Sequence, residues 1–449
     1  MKSGKLIDGF SKMTVAEKIS WLQDNYTKDK KGLGELLAGF DHEDEQLQNI
    51  LNGFSENTLT NFPLPYSIAP NFLINDQVYA VPMVIEESSV VAAASAAAKY
   101  WSERGGFVAE VIATEKVGQI HMTCDQDAVI FRQYFESHKQ HLLRSCDELI
   151  ANMDKRGGGI KNMELLDFPE EADYYQVRMT FETCVSMGAN FINSVLETSA
   201  KAMVSHHREV YGDRSRLQVV MCILSNYTPN CLVRSEVSCK ISEIGAVANL
   251  SGKHFAYKYE KAVRIAHIDP YRATTHNKGV YNGVDAVALA TGNDFRAIEA
   301  CGHTYAGRDG KYRSLTHCDV SDGIFKTWIE IPMAVGTVGG LTRLHPLAKT
   351  SLEILGQPSS EELMMIIAST GLAQNFSAIK SLISTGIQQG HMRMHLSNVL
   401  YQLKATEQEF KMAIDYFKDK IVSHRAVQEF LQQLRSFEPG VKEKKASRS

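Results

Sequence analysis

The segment "THNKGVYNGVDAVALATGND" (residues 275–294) places Lys278 between an asparagine and a glycine, and ends an apolar run with Asn293 and Asp294. A lysine in solvent needs no such surroundings. A lysine held against a carboxylate does, because a nearby negative charge favours its charged form when it is buried. We therefore predict that the glycines and asparagines form a tight loop that holds Lys278 close to Asp294. Asp294 is equally suited to cap the helix that begins "FRAIEAC".

The bulk composition is that of a globular protein. The chain has 449 residues, enough for two or three domains. Hydrophobic and charged residues make up 44% and 22% of it, which excludes disordered and collagen-like classes. A net charge of −4 does not indicate a nucleic-acid surface or a polybasic membrane patch. No apolar stretch approaches the roughly 20 residues that span a bilayer. The eight cysteines lack metal or redox spacing, so we expect a cytoplasmic protein with reduced thiols and no metal.

Changes in residue pattern along the chain predict an α+β fold of several parts. The alanine-rich segment "SSVVAAASAAAKYWSERGG" (residues 88–106) predicts a central buried helix, capped by Ser88 or Ser89 and ended by Gly105. The segments "FVAEVIAT" and "KVGQIHMTC", which start at Phe107 and Lys116, predict a hairpin that opens a small inserted module. We expect a large domain over 1–106 and 216–375, a small domain over 107–215, a C-terminal helical segment over 376–440 and a disordered tail over 441–449.

Two polar features allow both a structural and a chemical interpretation, and a glycine-rich turn is a third candidate feature. Glu86 and Glu87 precede the alanine-rich helix, where they either interact with the helix dipole or provide a carboxylic acid whose pKa is raised by burial. His391 follows a glycine in "QQGHMRMH" and is either a core histidine or a mobile acid. The glycine-rich turn that begins at Gly336 allows backbone to approach a ligand closely.

Five segments taken together carry a resemblance to a known family. They are "VIEESSVVAAAS", "MGAN", "DPYRATTHNKGVYNGVDAVALATGNDFRAIEA", "GTVGGLTRLHPLA" and "IQQGHM", in this order along the chain. From about Phe62 to Asn398 the chain resembles 3-hydroxy-3-methylglutaryl-CoA (HMG-CoA) reductase in its soluble bacterial class II form. The resemblance implies a large HMG-CoA-binding domain around the alanine-rich helix. It also implies an inserted ferredoxin-like, non-Rossmann dinucleotide-binding domain and a C-terminal helical flap.

The resemblance implies an oxidoreductase of the mevalonate pathway of isoprenoid biosynthesis, which reduces HMG-CoA to mevalonate and coenzyme A with two NAD(P)H. The family's four catalytic residues correspond to Glu87, Lys278, Asp294 and His391. Lys278 would stabilise the oxyanion and Asp294 would keep Lys278 charged. His391 would protonate the leaving thiolate, and Glu87 would protonate the alcohol. The alternatives are an enzyme that oxidises mevalonate with NAD, and a homologue that binds CoA or nucleotide without catalysis.

The resemblance also implies the residues that bind the substrate. Arg272 would hold the free carboxylate of the substrate through a charge-assisted pair. Hydrogen bonds to the hydroxymethylglutaryl group would come from Ser89, Thr275 and Asn282. The family builds its active site at a dimer interface, so a homodimer or an assembly of dimers is implied, without nucleic acid or membrane as a partner.

A short segment is implied to bind the dinucleotide. It comprises Val185, Ser186, Met187, Gly188, Ala189 and Asn190, and it offers the start of a helix to phosphate. Val185 stands where family members with Asp-Ala-Met-Gly-Ala-Asn have an aspartate that bonds the ribose hydroxyls of NAD(H). Because that aspartate would also repel the 2′-phosphate of NADP(H), its replacement predicts a preference for NADPH, with NADH use still possible.

Overall fold

The computed structural model describes residues 6–27, 32–247, 250–384, 396–418 and 420–437. Its strands are β1 (Tyr66–Ile74), β2 (Gln77–Val84), β3 (Val108–Thr114), β4 (Lys116–Thr123), β5 (Gly159–Asp167), β6 (Tyr174–Glu182), β7 (Gln218–Ser225), β8 (Cys231–Lys240), β9 (Thr316–Ser321) and β10 (Ile324–Pro332). Its helices are α1 (Val15–Asn25), α2 (Leu33–Ala38), α3 (Glu45–Asn52), α4 (Val90–Ser102), α5 (Ala128–Arg144), α6 (Asp147–Asp154), α7 (Ala189–Tyr211), α8 (Gly252–Ile268), α9 (Pro270–Ala290), α10 (Phe295–Ala306), α11 (Leu341–Leu344), α12 (Pro346–Ile354), α13 (Ser360–Ile383), α14 (396–402), α15 (Glu407–Tyr416) and α16 (His424–Phe437).

The core of the larger part of the fold is built where α9 packs directly on α13. Glycines set the distance between the two helices. A Cβ atom on Gly283 would lie 2.7 Å from the carbonyl oxygen of Thr370, and a Cβ atom on Gly371 would lie 2.8 Å from Cγ2 of Val284. Both distances are below any normal contact, so the backbones approach this closely only because no side chain is present.

Helix α4 is the central buried helix that the alanine-rich segment predicts, and it packs on both α9 and α13. Its buried residues are mostly small: Val90, Ala94, Ala97, Ala98 and Trp101. Ser89 occupies the N-cap position, but its backbone is left-handed (φ 74°) and its side chain does not cap the helix. The helix ends at Ser102, and Gly105 follows with a φ of +94°.

Two four-stranded antiparallel sheets lie in different parts of the fold. Strands β3, β8, β10 and β9, in that order, form the sheet of the larger part, which packs on α8 and α13. Strands β5, β6, β4 and β7 form the second sheet, which packs on α5, α6 and α7. The second sheet is formed by the sequence β4–helix–β5–β6–helix–β7, which is the ferredoxin-like arrangement. The α+β class and the ferredoxin-like insertion are therefore confirmed.

The first two strands of this region do not form the predicted hairpin. Strand β3 pairs with β8 in the larger sheet, whereas β4 pairs with β6 and β7 in the second one. The chain therefore enters the second sheet at Lys116 and leaves it after Ser225, rather than at 107 and 215, and we propose 116–225 as the small domain. An alternating apolar pattern is the same for a hairpin and for two strands of different sheets, so the pattern cannot distinguish them.

The C-terminal helices form a cluster with a core of its own. Leu400, Phe417 and Val427 are among its buried residues, which come from α14, α15 and α16 or the turns beside them. The boundary expected at 376 falls inside α13, because that helix continues to Ile383. The expected tail, residues 441–449, lies outside the described residues.

We predict that Gly283→Ala destabilises the chain by about 1–3 kcal/mol, because the added methyl group meets the backbone of α13 rather than a flexible side chain. Gly279→Ala is the matched control. It lies one turn earlier in α9, and its Cβ atom would make only ordinary contacts at 3.9 Å. Alanine favours a helix over glycine by up to about 1 kcal/mol, so this variant should be neutral or stabilised. Equilibrium denaturation measures both, and equal effects would contradict the packing argument.

Candidate active site

Lys278 lies in the middle of helix α9, not in the tight loop that its neighbouring glycines and asparagines predict. Asp269 starts the helix by accepting hydrogen bonds from the backbone amides of Tyr271 and Arg272, both at 3.2 Å. Pro270 at the first helical position favours the same start. Glycine and asparagine each disfavour a helix by no more than about 1 kcal/mol. The burial of one side of α9 against α13 outweighs that cost.

Helical geometry places the residues expected to bind substrate on the same side of α9 as Lys278. At 3.6 residues per turn, four residues lie within about 120° of one another around the helix axis: Arg272, Thr275, Lys278 and Asn282. We call these four residues the polar face of α9. They are exposed or half-buried, whereas Val280 and Val284 on the opposite side are fully buried.

The Nζ atom of Lys278 donates a hydrogen bond to Oε2 of Glu87 at 2.6 Å. Glu87 lies between β2 and α4, so this contact joins the segment that precedes the central helix to the polar face of α9. The two side chains are 59% and 39% exposed, so the ion pair faces solvent. Glu86 is exposed. The structure thus brings Lys278 together with the carboxylate that the sequence assigns to the site.

Asp294 caps α10, as one of its two predicted roles requires. Its Oδ1 atom accepts hydrogen bonds from the backbone amides of Arg296 at 3.1 Å and Ala297 at 3.2 Å. Its ion-pair partner among the described residues is Arg296, with Nε 3.3 Å from Oδ1, and not Lys278. The structure therefore does not show the predicted contact of Asp294 with Lys278, and the catalytic role of Asp294 stays a prediction.

Arg272 is half-buried and has no carboxylate partner among the described residues. Burial lowers the pKa of its guanidinium from its ordinary value, because the charged form loses hydration. The group nevertheless remains charged at neutral pH. A half-buried guanidinium without a protein carboxylate favours a carboxylate ligand, since the ligand would replace the lost hydration with two hydrogen bonds.

The two residues before Lys278 are buried and anchor α9. Asn277 donates a hydrogen bond to the carbonyl oxygen of Arg313 at 2.8 Å and accepts one from the backbone amide of Leu315 at 3.0 Å. His276 is also buried, and burial is the main reason that its pKa is lowered to about 3. Asn277 therefore holds α9 against the loop between α10 and β9, and it does not form part of a turn around the ammonium group of Lys278.

The segment expected to bind the dinucleotide forms a tight loop over residues 183–188, followed by α7. Gly188 is the N-cap with φ 86°, and a Cβ atom there would lie 2.4 Å from Cγ2 of Thr183. The hydroxyl of Thr183 donates to the carbonyl oxygen of Ser186 at 2.6 Å, and the hydroxyl of Ser186 donates to the carbonyl oxygen of Thr183 at 3.0 Å. No side chain of the described residues caps α7, so its first backbone amides fit a phosphate group.

A series of backbone contacts joins the 183–188 loop to Asn293. The backbone amide of Gly336 donates to Oδ1 of Asn293 at 2.9 Å, and that of Thr337 donates to the carbonyl oxygen of Val185 at 3.1 Å. A Cβ atom on Gly336 would lie 2.8 Å from the backbone nitrogen of Met187, so this approach requires glycine. The sequence indicated the glycine-rich turn but not the role of Asn293, because the partner of Asn293 is 43 residues away.

His391 lies outside the described residues, so its place in the site stays a prediction. Within the described part of the chain, no helix is long and apolar enough to cross a membrane. The same residues contain no group of three His, Cys, Asp or Glu side chains arranged to hold a metal ion. All eight cysteines are described, and each is a free thiol.

Sequence comparison identifies relatives over nearly the whole chain. A model of the family described as "Hydroxymethylglutaryl-coenzyme A reductase" matches residues 14–396. The 3-hydroxy-3-methylglutaryl-coenzyme A reductase of Archaeoglobus fulgidus is 36% identical over 97% of this chain and 98% of its own length. A probable enzyme of the same name from Borreliella burgdorferi is 31% identical over 84% of this chain and 83% of its own.

Solved structures agree with the sequence comparison. The class II 3-hydroxy-3-methylglutaryl-CoA reductase from Streptococcus pneumoniae, bound to NADPH in open conformations, has a TM-score of 0.70 and 36% identity, and the match covers 91% of this chain and 100% of that one. A second structure of the S. pneumoniae reductase has a TM-score of 0.71 and 35% identity over 95% of this chain and 99% of that one. On these matches, and on the residues assembled along α9, the chain belongs to the hydroxymethylglutaryl-coenzyme A reductase family.

Proposed function

We propose that this chain reduces HMG-CoA to mevalonate and coenzyme A, using two reduced nicotinamide dinucleotides. The observation that carries the proposal is the 2.6 Å contact between Lys278 and Glu87, because it places a cation and a carboxyl group at one solvent-accessible point. Arg272, on the same polar face of α9, has no carboxylate partner among the described residues and suits the free carboxylate of the substrate. Membership of the family supports reduction, as a step of the mevalonate pathway, over mevalonate oxidation or binding without catalysis.

The residues of the site fit the two reductive steps. The 183–188 loop and the start of α7 would hold the phosphates of the dinucleotide, which when bound supplies one hydride in each step. In the first step negative charge develops on the thioester oxygen, and the Lys278 ammonium would stabilise it. In the second step the same ammonium would stabilise the charge on the aldehyde oxygen, and Glu87 would supply the proton of the product alcohol.

The remaining predicted residues have supporting roles in this scheme. Thr275 and Asn282 lie on the polar face of α9, and Ser89 lies exposed two residues after Glu87. All three would hydrogen-bond the hydroxymethylglutaryl group that Arg272 would anchor. Asp294 would act through its negative charge on Lys278. His391 would protonate the thiolate of coenzyme A as it leaves, a task that suits the reference pKa of histidine.

We infer that a second copy of the chain completes the site. Lys278 and Asp294 have side chains that are 59% and 40% exposed in the single chain. Electrostatic stabilisation of an oxyanion is strongest where water is excluded. A homodimer that covers the polar face of α9 would provide that exclusion, in agreement with the interface position that the family resemblance implies.

Lys278→Ala is expected to lower turnover by about 10²–10³, because both hydride transfers lose their oxyanion-stabilising charge. The measurement is oxidation of NADPH on addition of HMG-CoA, with circular dichroism as the check on folding. Lys253→Ala, which removes an exposed lysine of α8, is the matched control and should keep its activity. More than a tenth of wild-type turnover in Lys278→Ala would show that the assignment is wrong.

Glu87→Gln and His391→Gln should be separable with free mevaldehyde as substrate. Aldehyde reduction expels no thiolate, so the histidine variant should handle mevaldehyde better than HMG-CoA. The glutamate variant should fail on both, because each route requires a proton on the product oxygen. Glu86→Gln controls for loss of a neighbouring carboxylate and should behave like the wild type. Equal losses on both substrates in both variants would contradict this division of roles.

We propose that NADPH is the preferred cofactor. Val185 takes the place of an aspartate that would repel the 2′-phosphate, and it is 40% exposed. The turn before β5 lies beside it, because Cys184 donates a hydrogen bond through Sγ to the carbonyl oxygen of Arg156 at 3.3 Å. Lys155 and Arg156 are both exposed in that turn and suit the phosphate as basic partners. The S. pneumoniae structure bound to NADPH supports the same choice.

Arg156→Ala is expected to lower kcat/KM for NADPH about tenfold or more and to change kcat/KM for NADH little, because only NADPH loses a charge-assisted hydrogen bond. Val185→Asp should shift selectivity towards NADH by adding repulsion. Arg144→Ala, which removes an exposed arginine of α5 in the same domain, is the control and should change neither value. A clear preference of the wild type for NADH would overturn the proposal.

A further inference from the structure

A second pair of ionisable groups joins α9 to α10. Asp285 on α9 contacts the carboxyl group of Glu299 on α10. Asp285 lies seven residues after Lys278, two turns further along the same side of the helix. Asp294 begins α10 five residues before Glu299. The two carboxyl groups therefore connect the helix that carries Lys278 with the helix that Asp294 caps.

If both carboxyl groups are ionised, neither can donate a hydrogen bond to the other. The Oδ1 atom of Asp285 is fully buried and has no hydrogen-bond partner among the described residues. Two ionised carboxylates offer each other only acceptors, and their charges repel. One proton shared between Asp285 and Glu299 removes the repulsion and turns the contact into a charge-assisted hydrogen bond.

Among the described residues, no Lys, Arg or His forms an ion pair with either carboxyl group, and Arg296 of α10 pairs with Asp294 instead. Tyr281, one turn before Asp285, has a buried hydroxyl without a hydrogen-bond partner among the described residues. Burial raises the pKa of this hydroxyl, and the charges of the two carboxyl groups raise it further. His303 is close to Glu299, but burial lowers its pKa, so it is neutral near pH 7. The titratable groups around the pair on α9, on α10 and on the loop that follows are Tyr281, Cys301, His303 and Tyr312.

We propose that Asp285 and Glu299 share one proton and act as positioning residues, holding α9 to α10 in the spacing that sets Lys278 relative to Asp294. This role rests on the proposed function, and neither carboxyl group touches the substrate in it. When the proton leaves, two half-buried negative charges repel each other and the contact between the helices is lost. The alignment of Lys278 with Asp294 then depends on pH.

The direction of the pH effect follows from the pKa of Asp285. Burial, and then the charge of Glu299, raises this pKa from 3.8 to about 8. The folded chain therefore keeps a proton that the unfolded chain has released above about pH 4. Since unfolding releases this proton between about pH 4 and pH 8, stability falls as pH rises through that range, and the contribution no longer changes above about pH 8.

Asp285→Asn separates the shared proton from the hydrogen bond, because an amide donates to Glu299 without a proton that dissociates. In the wild type, kcat should fall by up to about tenfold per pH unit above about pH 8, and this decline should move to higher pH in Asp285→Asn. Asp285→Ala should lower kcat at pH 7 about tenfold, with KM for HMG-CoA changed less than about twofold, and Asp285→Asn should restore most of the loss.

The control is Glu353→Gln, which neutralises an exposed carboxylate on α12 and should leave the pH profile as in the wild type. An alkaline decline at the same pH in the wild type and in Asp285→Asn would overturn the proposal. Failure of the asparagine variant to recover activity lost in the alanine variant would overturn it as well.

Equilibrium unfolding tests the shared proton without an enzyme assay. Between pH 5 and pH 8, the unfolding equilibrium constant of the wild type, divided by that of Asp285→Asn, should rise by up to about tenfold per pH unit. A ratio that does not change with pH would overturn the shared proton. If the ratio rises as expected while the chain does not reduce HMG-CoA, the proposed function is wrong and the shared proton is supported.

Discussion

The close packing of α9 on α13 is the constraint on which the rest of the structure depends. Because Gly283 has no side chain, the backbone of α13 at Thr370 lies where an added methyl group would be only 2.7 Å away. One side of α9 is thereby buried, and its other side is left for Arg272 and Lys278. These two residues are six apart, which corresponds to about 9 Å along a helix. A rigid helix thus sets the distance between the group that would anchor the substrate and the group that would stabilise its oxyanion.

The part of the fold that contains α9 and α13 also positions the loop that is proposed to bind the cofactor. Asn293 holds Gly336, and the next residue, Thr337, holds the backbone of Val185. The 183–188 loop follows β6 of the second sheet, but these hydrogen bonds connect it to the segment between α9 and α10. A movement of α10 relative to α9 would therefore change both the place of Asp294 and the support of the loop. This is why a contact between the two helices, such as that of Asp285 with Glu299, bears on both reactants.

Sequence patterns were sufficient for the family, the α+β class and the buried alanine-rich helix. The structure brings Lys278 and Glu87 into contact, and their catalytic roles stay predictions. Sequence patterns failed where a contact between distant segments outweighs a local preference. The glycines near Lys278 suggested a loop, because a single sequence does not reveal that α13 packs against them. The sequence of β3 predicts a hairpin with β4, because the alternation of apolar and polar residues is the same whichever sheet the strand joins. The sequence does not reveal the carboxyl pair of Asp285 and Glu299, because the pair depends on how two helices meet.

Neighbouring polar residues of α9 have opposite roles, since each step along a helix turns the side chain by about 100°. Asn277 points into the protein and meets its hydrogen-bonding needs with the loop at Arg313 and Leu315, whereas Lys278 points out towards Glu87. A buried amide left without partners would destabilise this helix by about 1–3 kcal/mol. The hydrogen bonds of Asn277 therefore do more than hold a loop. They allow a helix with polar residues on both sides to pack tightly, and a tightly packed helix is what keeps a long, flexible lysine side chain beside one carboxylate.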